Sequence, residues 1–260
     1  MKLKVYIANA FSDKKFGGNP AAVVPLNEWL SDTLMQQIAA QNNLPETAYI
    51  IPRGNDYAIR WFTPVVEVEL CGHATLASAF VLFEHLGYNR NQIVFHSESG
   101  PLRVTRNGSK ITLDFPANEP EKIPDDRSIG KALGIEPIAV FKSRFDYMVV
   151  LKNQSDLERM KPDLVLVKKL SARGLIVTAK GDTVDFVSRC FYPQSGIDED
   201  PVTGSAHTVM VPYWAKEMGK NKLSAIQLSA RRGYLDCELA GDRVLMSGHA
   251  HTYLEGDFYI

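Results

Sequence analysis

Cysteine is scarce in this sequence of 260 residues, and its three copies have no spacing that suits a disulfide framework or a zinc site. They are Cys71, Cys190 and Cys237. Unpaired cysteines are typical of proteins kept in a reducing compartment, so we expect a cytoplasmic protein. The six histidines form no recognisable metal spacing either, and we expect no metal site.

Excess charge and long apolar runs are also missing. The net charge is −1 and the pI is near 6.6, which gives no reason to expect nucleic acid as a partner. No run approaches the roughly 18 apolar residues that a membrane span requires. The opening residues MKLKVYIANAF alternate like a strand and lack the apolar core of a signal peptide. These features predict a soluble protein with neither a nucleic-acid nor a membrane partner.

The two halves of the chain repeat one pattern. The motif RWFTP in the first half matches RCFYP in the second. Each motif leads to a glycine, Gly72 or Gly204, that opens an apolar run of helical length. Matched spacings in the same order indicate an internal duplication of strands, a helix and a hairpin. We therefore expect residues 60–114 and 189–247 to share one topology.

Each half combines many short strands with one very apolar helix. Such a helix must be buried, and a strand-rich half can bury it by wrapping its sheet around it. The sequence predicts an α+β fold of two pseudo-symmetric domains, each a barrel-like sheet around a central helix. We expect domains at 1–117 and 118–260, with a strand at about 251–260 returning to the first. The polar, proline-rich segment 116–128 suits the boundary.

Three acids precede the second central helix in the stretch GIDEDPVTGSAHTVM. They can cap the helix and complement its dipole, or they can belong to a ligand site at its amino terminus. Asp200 is held by the following proline and is predicted to point inward. Asp198 and Glu199 are predicted to be solvated.

The two central helices offer matched polar residues at their starts. His73 follows Gly72, and Ser205 follows Gly204. If the domains face each other across a cleft, both helix starts present N–H groups to one ligand. A paired-thiol mechanism would need two facing cysteines, but the residue before Gly204 is threonine, so the sequence argues against that mechanism.

Glu46 is a candidate acid–base that lies between a proline and an apolar strand. A surface carboxylate at a strand start is the alternative interpretation. Counted back from the turn glycines Gly54 and Gly181, Glu46 corresponds to Arg173, so the two halves differ in charge at this place. Asn19, in the segment FGGNPAAVV, is either a turn residue or a ligand of the site. That segment lacks the fingerprint of a phosphate or dinucleotide loop.

Together these residues resemble the PhzF-like isomerase family, named for phenazine biosynthesis, within the diaminopimelate epimerase-like superfamily. The resemblance runs from FGGNPAAVV and LPETAYI through CGHAT to EDPVTGSA, and so spans nearly the whole chain. It implies a two-domain fold with the active site between the domains, and a homodimer. It also implies a cofactor-independent isomerisation of a small carboxylic acid by a proton shift.

The resemblance assigns roles to individual residues. The catalytic residues would be Glu46, as the acid–base, with Asp200 and His73. The substrate-binding residues would be Gly72, Gly204, Ser205, Thr203, Asn19 and Cys71. Related epimerases use two cysteines, and here only the first position keeps one. Two alternatives stay open: a non-catalytic small-acid binding or scaffold protein, and a one-base epimerase or lyase.

Overall fold

The computed structural model describes residues 1–124 and 127–260, and the chain divides into two compact units. Unit 1 consists of residues 1–115 and 247–260, and unit 2 consists of residues 116–246. Strands outnumber helices in both units. No helix in the described part of the chain is long and apolar enough to cross a membrane.

Unit 1 surrounds a single buried helix, α2, with strands. Its first elements are β1 (Lys2–Ala10), β2 (Asn19–Pro25), α1 (Asp32–Asn42), β3 (Glu46–Arg53), β4 (Asp56–Phe62), β5 (Glu67–Val68), α2 (Gly72–Glu84), β6 (Gln92–Ser97), β7 (Gly100–Asn107) and β8 (Lys110–Pro116). Almost every residue of α2 is buried, and the helix packs against β1, β2 and β3. A helix this apolar is stable because its side chains are buried against these strands.

The hairpin predicted at the Asn-Gly pair is present. β7 and β8 pair antiparallel, with Asn107 opposite Lys110. Gly108 lies in the tight turn with a φ of 60°, in the left-handed region that glycine adopts without steric cost. The turn therefore fixes the register of the two strands.

Unit 2 contains a second long buried helix, α6. Its elements are β9 (Glu121–Ile123), α3 (Arg127–Leu133), β10 (Ala139–Lys142), β11 (Asp146–Val150), α4 (Gln154–Arg159), α5 (Leu164–Val167), β12 (Gly174–Lys180), β13 (Phe186–Tyr192), β14 (Ile197–Asp200), α6 (Gly204–Met218), β15 (Lys222–Gln227), β16 (Gly233–Ala240) and β17 (Arg243–Gly248). A short 3-10 turn, Pro193–Ser195, precedes β14. The predicted boundary segment 116–128 overlaps β9 and α3, and its residues 125 and 126 lie outside the described residues.

A proline inside α6 leaves one helix carbonyl without its usual donor. Pro212 has no backbone N–H to give to Thr208, four residues earlier. The Thr208 carbonyl instead accepts the backbone N–H of Asn118 at 3.0 Å. The segment that enters unit 2 is thus hydrogen-bonded to the middle of α6. The helix ends at Gly219, which adopts the left-handed conformation of a helix C-cap, as its sequence position predicted.

The two units have the same pattern of strand pairings. In unit 1, β4 pairs antiparallel with β3 and parallel with β6, and β6 pairs antiparallel with β7. In unit 2, β13 pairs in the same way with β12 and β15, and β15 pairs antiparallel with β16. In each unit the long buried helix precedes the parallel partner strand. The common topology of residues 60–114 and 189–247 is confirmed.

The last strand, β18 (Ala250–Tyr259), pairs antiparallel with β1. The pairing extends from Lys2 opposite Tyr259 to Ala10 opposite Ala250. Unit 1 is therefore assembled from two separate segments of the chain.

The strand register corrects the comparison between Glu46 and Arg173. Thr47 and Leu175 lie opposite the phenylalanines of the RWF and RCF motifs. The residue before Leu175 is Gly174, so Gly174 occupies the register of Glu46. Counting back from the turn glycines is misleading because two residues connect β3 to β4, whereas five connect β12 to β13.

Candidate active site

Glu46 is the first residue of β3, and only 8% of its surface is exposed. The preceding helix, α1, ends at Asn43, whose φ of 49° turns the chain towards the strand. Parallel pairing with β2 then places Glu46 opposite Ala21. A buried carboxylate needs a hydrogen-bonding or charged partner, because an isolated buried charge is costly.

His73 supplies that partner. It is the second residue of α2 and is almost fully buried. Its Nε2 lies 3.0 Å from Glu46 Oε2, although the two atoms are not aligned as a standard hydrogen bond. On the other side of the ring, Nδ1 lies 3.1 Å from Asn19 Nδ2 and 3.5 Å from Cys71 Sγ. The imidazole therefore connects the carboxylate to the amide and the thiol.

Asn19 reaches the ring because the chain turns sharply before β2. Gly18 has a φ of 68°, and a Cβ at this position would overlap the carbonyl oxygen of Ala10. Only glycine fits such a turn. The structure thus places Asn19 in the interior, against His73, and not in an exposed turn.

The electrostatics of the cluster keep protons on both His73 and Cys71. Burial raises the pKa of the Cys71 thiol above its usual range, and the Glu46 carboxylate adds to that rise. Burial disfavours the charged form of His73, but interactions with Cys71 and Glu46 raise its pKa well above the ordinary value. The negative charge of Glu46 contributes to the rise of the pKa for both groups.

The same three residues are the candidates for a metal site. Glu46, Cys71 and His73 each offer one ligand atom, and these atoms lie within 4.8 Å of one another. However, the histidine faces the carboxylate with Nε2 and the thiol with Nδ1. One ion can bind only one ring nitrogen, so it would not preserve both of these contacts. The observed arrangement suits proton transfer better than metal coordination.

The first turns of α2 and α6 have no side-chain cap. Gly72 and Gly204 begin the two helices, and the preceding residues, Cys71 and Thr203, make no capping hydrogen bond with their side chains. By contrast, the Ser31 side chain caps α1. The structure thus shows no side-chain cap from Cys71 or Thr203 at these two helix starts. Uncapped N–H groups at the positive end of a helix dipole favour an anionic ligand.

Asp200 belongs to a buried polar network in front of α6. Its Oδ2 accepts the Thr203 hydroxyl at 2.5 Å. The Thr203 backbone N–H donates to Gln227 Oε1 at 2.9 Å, and Gln227 Nε2 donates to the Asp200 carbonyl at 2.7 Å. These bonds fix the loop that leads into the helix. The inward orientation predicted for Asp200 is confirmed.

The two neighbouring acids behave differently from each other. Asp198 is exposed, as predicted. Glu199 is not solvated, because its carboxylate accepts from Arg189 Nε at 2.8 Å and from Nη2 at 2.9 Å. The arginine lies in the RCF motif, and pairing across the irregular β13–β14 ladder brings it to Glu199.

Ser205 contacts residues that the sequence did not assign to the site. Arg173 Nη2 donates to Ser205 Oγ at 3.2 Å. The same guanidinium pairs with the buried Asp146, with Nε 2.9 Å from Oδ1 and Nη2 2.5 Å from Oδ2. The charge of Arg173 in the duplicated half was a sequence signal, but Asp146 carried no motif.

Comparison with known proteins identifies relatives over the whole chain. The profile of the phenazine biosynthesis-like protein family matches residues 8–256. An uncharacterized isomerase of Pseudomonas aeruginosa is 47% identical over 260 residues, which is all of both chains. The crystal structure of a PhzF-family phenazine biosynthesis protein from Enterococcus faecalis is 46% identical, covers all of both chains and gives a TM-score of 0.97.

The fold extends to more distant proteins. A hydroxyproline epimerase from Agrobacterium vitis has a TM-score of 0.65 at 9% identity, covering 98% of this chain and 92% of its own. That likeness concerns the fold alone, and it confirms the predicted diaminopimelate epimerase-like architecture. With its family profile and full-length relatives, the chain belongs to the phenazine biosynthesis-like (PhzF-like) family and is an isomerase of that family.

Proposed function

We propose that this protein isomerises a small carboxylic acid without a cofactor, and that Glu46 alone carries the proton. The observation that supports this proposal most is the contact between the buried Glu46 carboxylate and His73 Nε2 beside the uncapped start of α2. A base, a proton-bearing partner and N–H donors for an anion are thus within one small region of unit 1.

The first step removes a proton from a carbon next to the acid group. Glu46 forms the new O–H bond, and the electron pair of the broken C–H bond delocalises onto the conjugated carboxyl oxygen. The N–H groups at the start of α2 can stabilise that oxyanion without rearranging, because they are fixed by the helix.

The second step returns the same proton to a different carbon. Glu46 releases it at the other end of the conjugated system, so the double bond moves and the electron count is unchanged. One carboxyl group suffices when both carbons present the same face. Cys71 is not the base in this scheme, because burial keeps its thiol protonated and raises its pKa.

The other predicted residues position these groups. His73 holds the carboxylate through Nε2, while Asn19 contacts Nδ1 and limits the rotation of the ring. In unit 2, we place Asp200 as a catalytic residue that lines the site without carrying the proton, oriented by Thr203, with Gly204 and Ser205 binding substrate. The family resemblance also leads us to propose a cytoplasmic homodimer.

Exchange with heavy water tests the proposal before the substrate is known. A panel of small unsaturated and hydroxy acids is incubated with the protein in heavy water, and deuterium at carbon is measured by NMR. The proposal predicts enzyme-dependent exchange or isomerisation of at least one acid, lost in Glu46→Gln. The exposed Glu28 provides the matched control, Glu28→Gln, which should exchange normally.

The products separate the alternatives. A shifted double bond supports the isomerase, inversion at one carbon indicates a one-base epimerase, and loss of a fragment indicates a lyase. Binding of acids without any exchange would contradict the proposal and favour a non-catalytic binding protein.

A further inference from the structure

Arg173 presents an oriented guanidinium at the start of α6. Asp146, which is only 1% exposed, holds Nε and Nη2 through a bidentate pair. The guanidinium carbon lies 5.4 Å from the ring centre of Phe145 and 5.4 Å from that of Tyr192. A planar cation held in this way loses little freedom when it binds a second planar anion.

One edge of this guanidinium is available to a ligand. Among the residues that the structure describes, no acceptor is bonded to Arg173 Nη1, and Nη2 donates to Ser205 as well as to Asp146. The side chain is 40% exposed, so solvent reaches part of it. It lies beside the second residue of α6, whose first turn has no side-chain cap.

Tyr192 is the independent indication of a ligand. Its hydroxyl is buried and has no hydrogen-bond partner within the described residues. Gly174 occupies the strand position in unit 2 that Glu46 occupies in unit 1. A Cβ at Gly174 would overlap the Tyr192 ring, so in unit 2 this ring fills the space that corresponds to the Glu46 side chain. Burial and the charge of Asp146 raise the pKa of Tyr192 well above its usual value, so the phenol remains a donor.

We propose that Arg173 and Tyr192 join the substrate-binding start of α6 at Gly204-Ser205 and complete a subsite for a carboxylate in unit 2. This inference rests on the proposed function only for the class of ligand, a small carboxylic acid. The carboxylate would take a hydrogen bond from Nη1 and further ones from the phenol and the helix N–H groups. Arg173 and Tyr192 thereby become specificity-determining residues.

The charges around the subsite favour a carboxylate over a more highly charged anion. Asp146 already neutralises one positive charge, and Asp200 places a second buried carboxylate near the Tyr192 hydroxyl. A doubly charged phosphate would be repelled by these two groups more strongly than a singly charged acid. Acetate should therefore bind more tightly than inorganic phosphate.

The test measures binding of acetate and inorganic phosphate to the full chain carrying Glu46→Gln, in which turnover cannot interfere. The amide NMR signals of Gly204 and Ser205 are followed during titration. Arg173→Lys keeps a positive charge beside Asp146 but loses the planar set of guanidinium N–H donors. It should raise the dissociation constant for acetate roughly tenfold. Tyr192→Phe keeps the ring and should raise it about fivefold. Tyr213→Phe, a phenol further along α6, is the matched control and should change it less than about twofold.

Each outcome decides the proposal. Loss of acetate affinity in both variants, with the Tyr213→Phe control unchanged, supports it. Absence of any shift at Ser205, acetate affinity unchanged from Glu46→Gln alone in both variants, or tighter binding of phosphate would overturn it. If Arg173→Lys fails to fold, Tyr192→Phe decides alone. Failure of Glu46→Gln to reduce exchange would overturn the proposed function and would leave this binding result unaffected.

Discussion

The two buried helices begin alike but differ in the charged groups beside them. Both start with a glycine after an uncapped residue, so each offers N–H groups to an anion. At α2 the neighbouring groups are Glu46 and His73, which can exchange a proton. At α6 the neighbouring group is Arg173, whose charge is permanent and is held by Asp146.

This difference indicates how a duplicated scaffold can acquire an asymmetric function. The helix starts that favour an anion are formed by the backbone, and both units have one. The side chain in the register of Glu46 is absent at Gly174, and the Tyr192 ring takes its place. Under the two proposals above, unit 1 would supply the proton transfer and Arg173 of unit 2 a fixed charge for recognition.

Removing the carboxyl group from unit 1 should have the largest effect. Glu46→Gln keeps the shape of the side chain but cannot bind and release a proton, so turnover should fall by roughly a hundredfold or more. Cys71→Ala should be much milder, because the thiol stays protonated and Thr203 stands at the corresponding position of unit 2. The measurement is the initial rate of exchange or isomerisation for both variants. A fully active Glu46→Gln with an inactive Cys71→Ala would replace the carboxylate scheme with a thiol mechanism.

Acid should destabilise unit 2 through a histidine that has no charged partner. His207 in α6 is fully buried, its Nδ1 donates to the Thr203 carbonyl at 2.8 Å, and burial lowers its pKa to about 4. Between pH 6.5 and 4 the unfolded chain binds this proton and the folded chain does not. Stability should therefore fall by about 2–3 kcal/mol as the pH decreases through that window.

Urea unfolding at several pH values measures this loss. His207→Gln removes the titrating group and should flatten that part of the profile, while the contribution of the carboxyl groups remains. An unchanged pH dependence in the variant would show that His207 is not the group responsible.

His73 should titrate in the opposite direction. Interactions with Cys71 and Glu46 raise its folded pKa despite burial, so its contribution to stability is fully present below the ordinary value of about 6.5 and is lost as the pH rises through the folded pKa. Glu46→Gln removes the carboxylate and should lower the pKa of His73, as followed by NMR of the ring protons. A pKa of His73 that does not change in the variant would contradict the assigned ion pair.

The smallest effect is expected from removing metal ions. The ring nitrogens of His73 face different partners, so no ion is needed to organise the cluster. Turnover should change by less than about twofold after dialysis against a chelator, on the scale of experimental variation. Loss of activity that zinc restores would instead assign Glu46, Cys71 and His73 as ligands.

Sequence reasoning located the parts of the site that follow local rules. Glu46, His73 and Asn19 were found because each lies next to a turn or a helix start, and the structure brings these three together. The central helices were found because an apolar run of helical length between glycines has few other interpretations.

The remainder depends on contacts between distant parts of the chain. The register of Arg173 was misjudged because strands are aligned by their hydrogen bonds and not by their distance from a turn. Glu199 was expected in solvent because its partner, Arg189, is ten residues away and approaches only through strand pairing. Tyr192 lies in the RCFYP motif, but its unpartnered hydroxyl becomes visible only when the ring is placed over Gly174.

The proline of α6 has a consequence for local opening. Because the Thr208 carbonyl accepts the N–H of Asn118, a residue outside the helix, that amide is protected only while the middle of α6 is formed. The rate of hydrogen–deuterium exchange at the Asn118 amide should thus measure local opening of the helix that carries Gly204 and Ser205. A single slowly exchanging amide in the segment entering unit 2 therefore reports how often the helix itself opens.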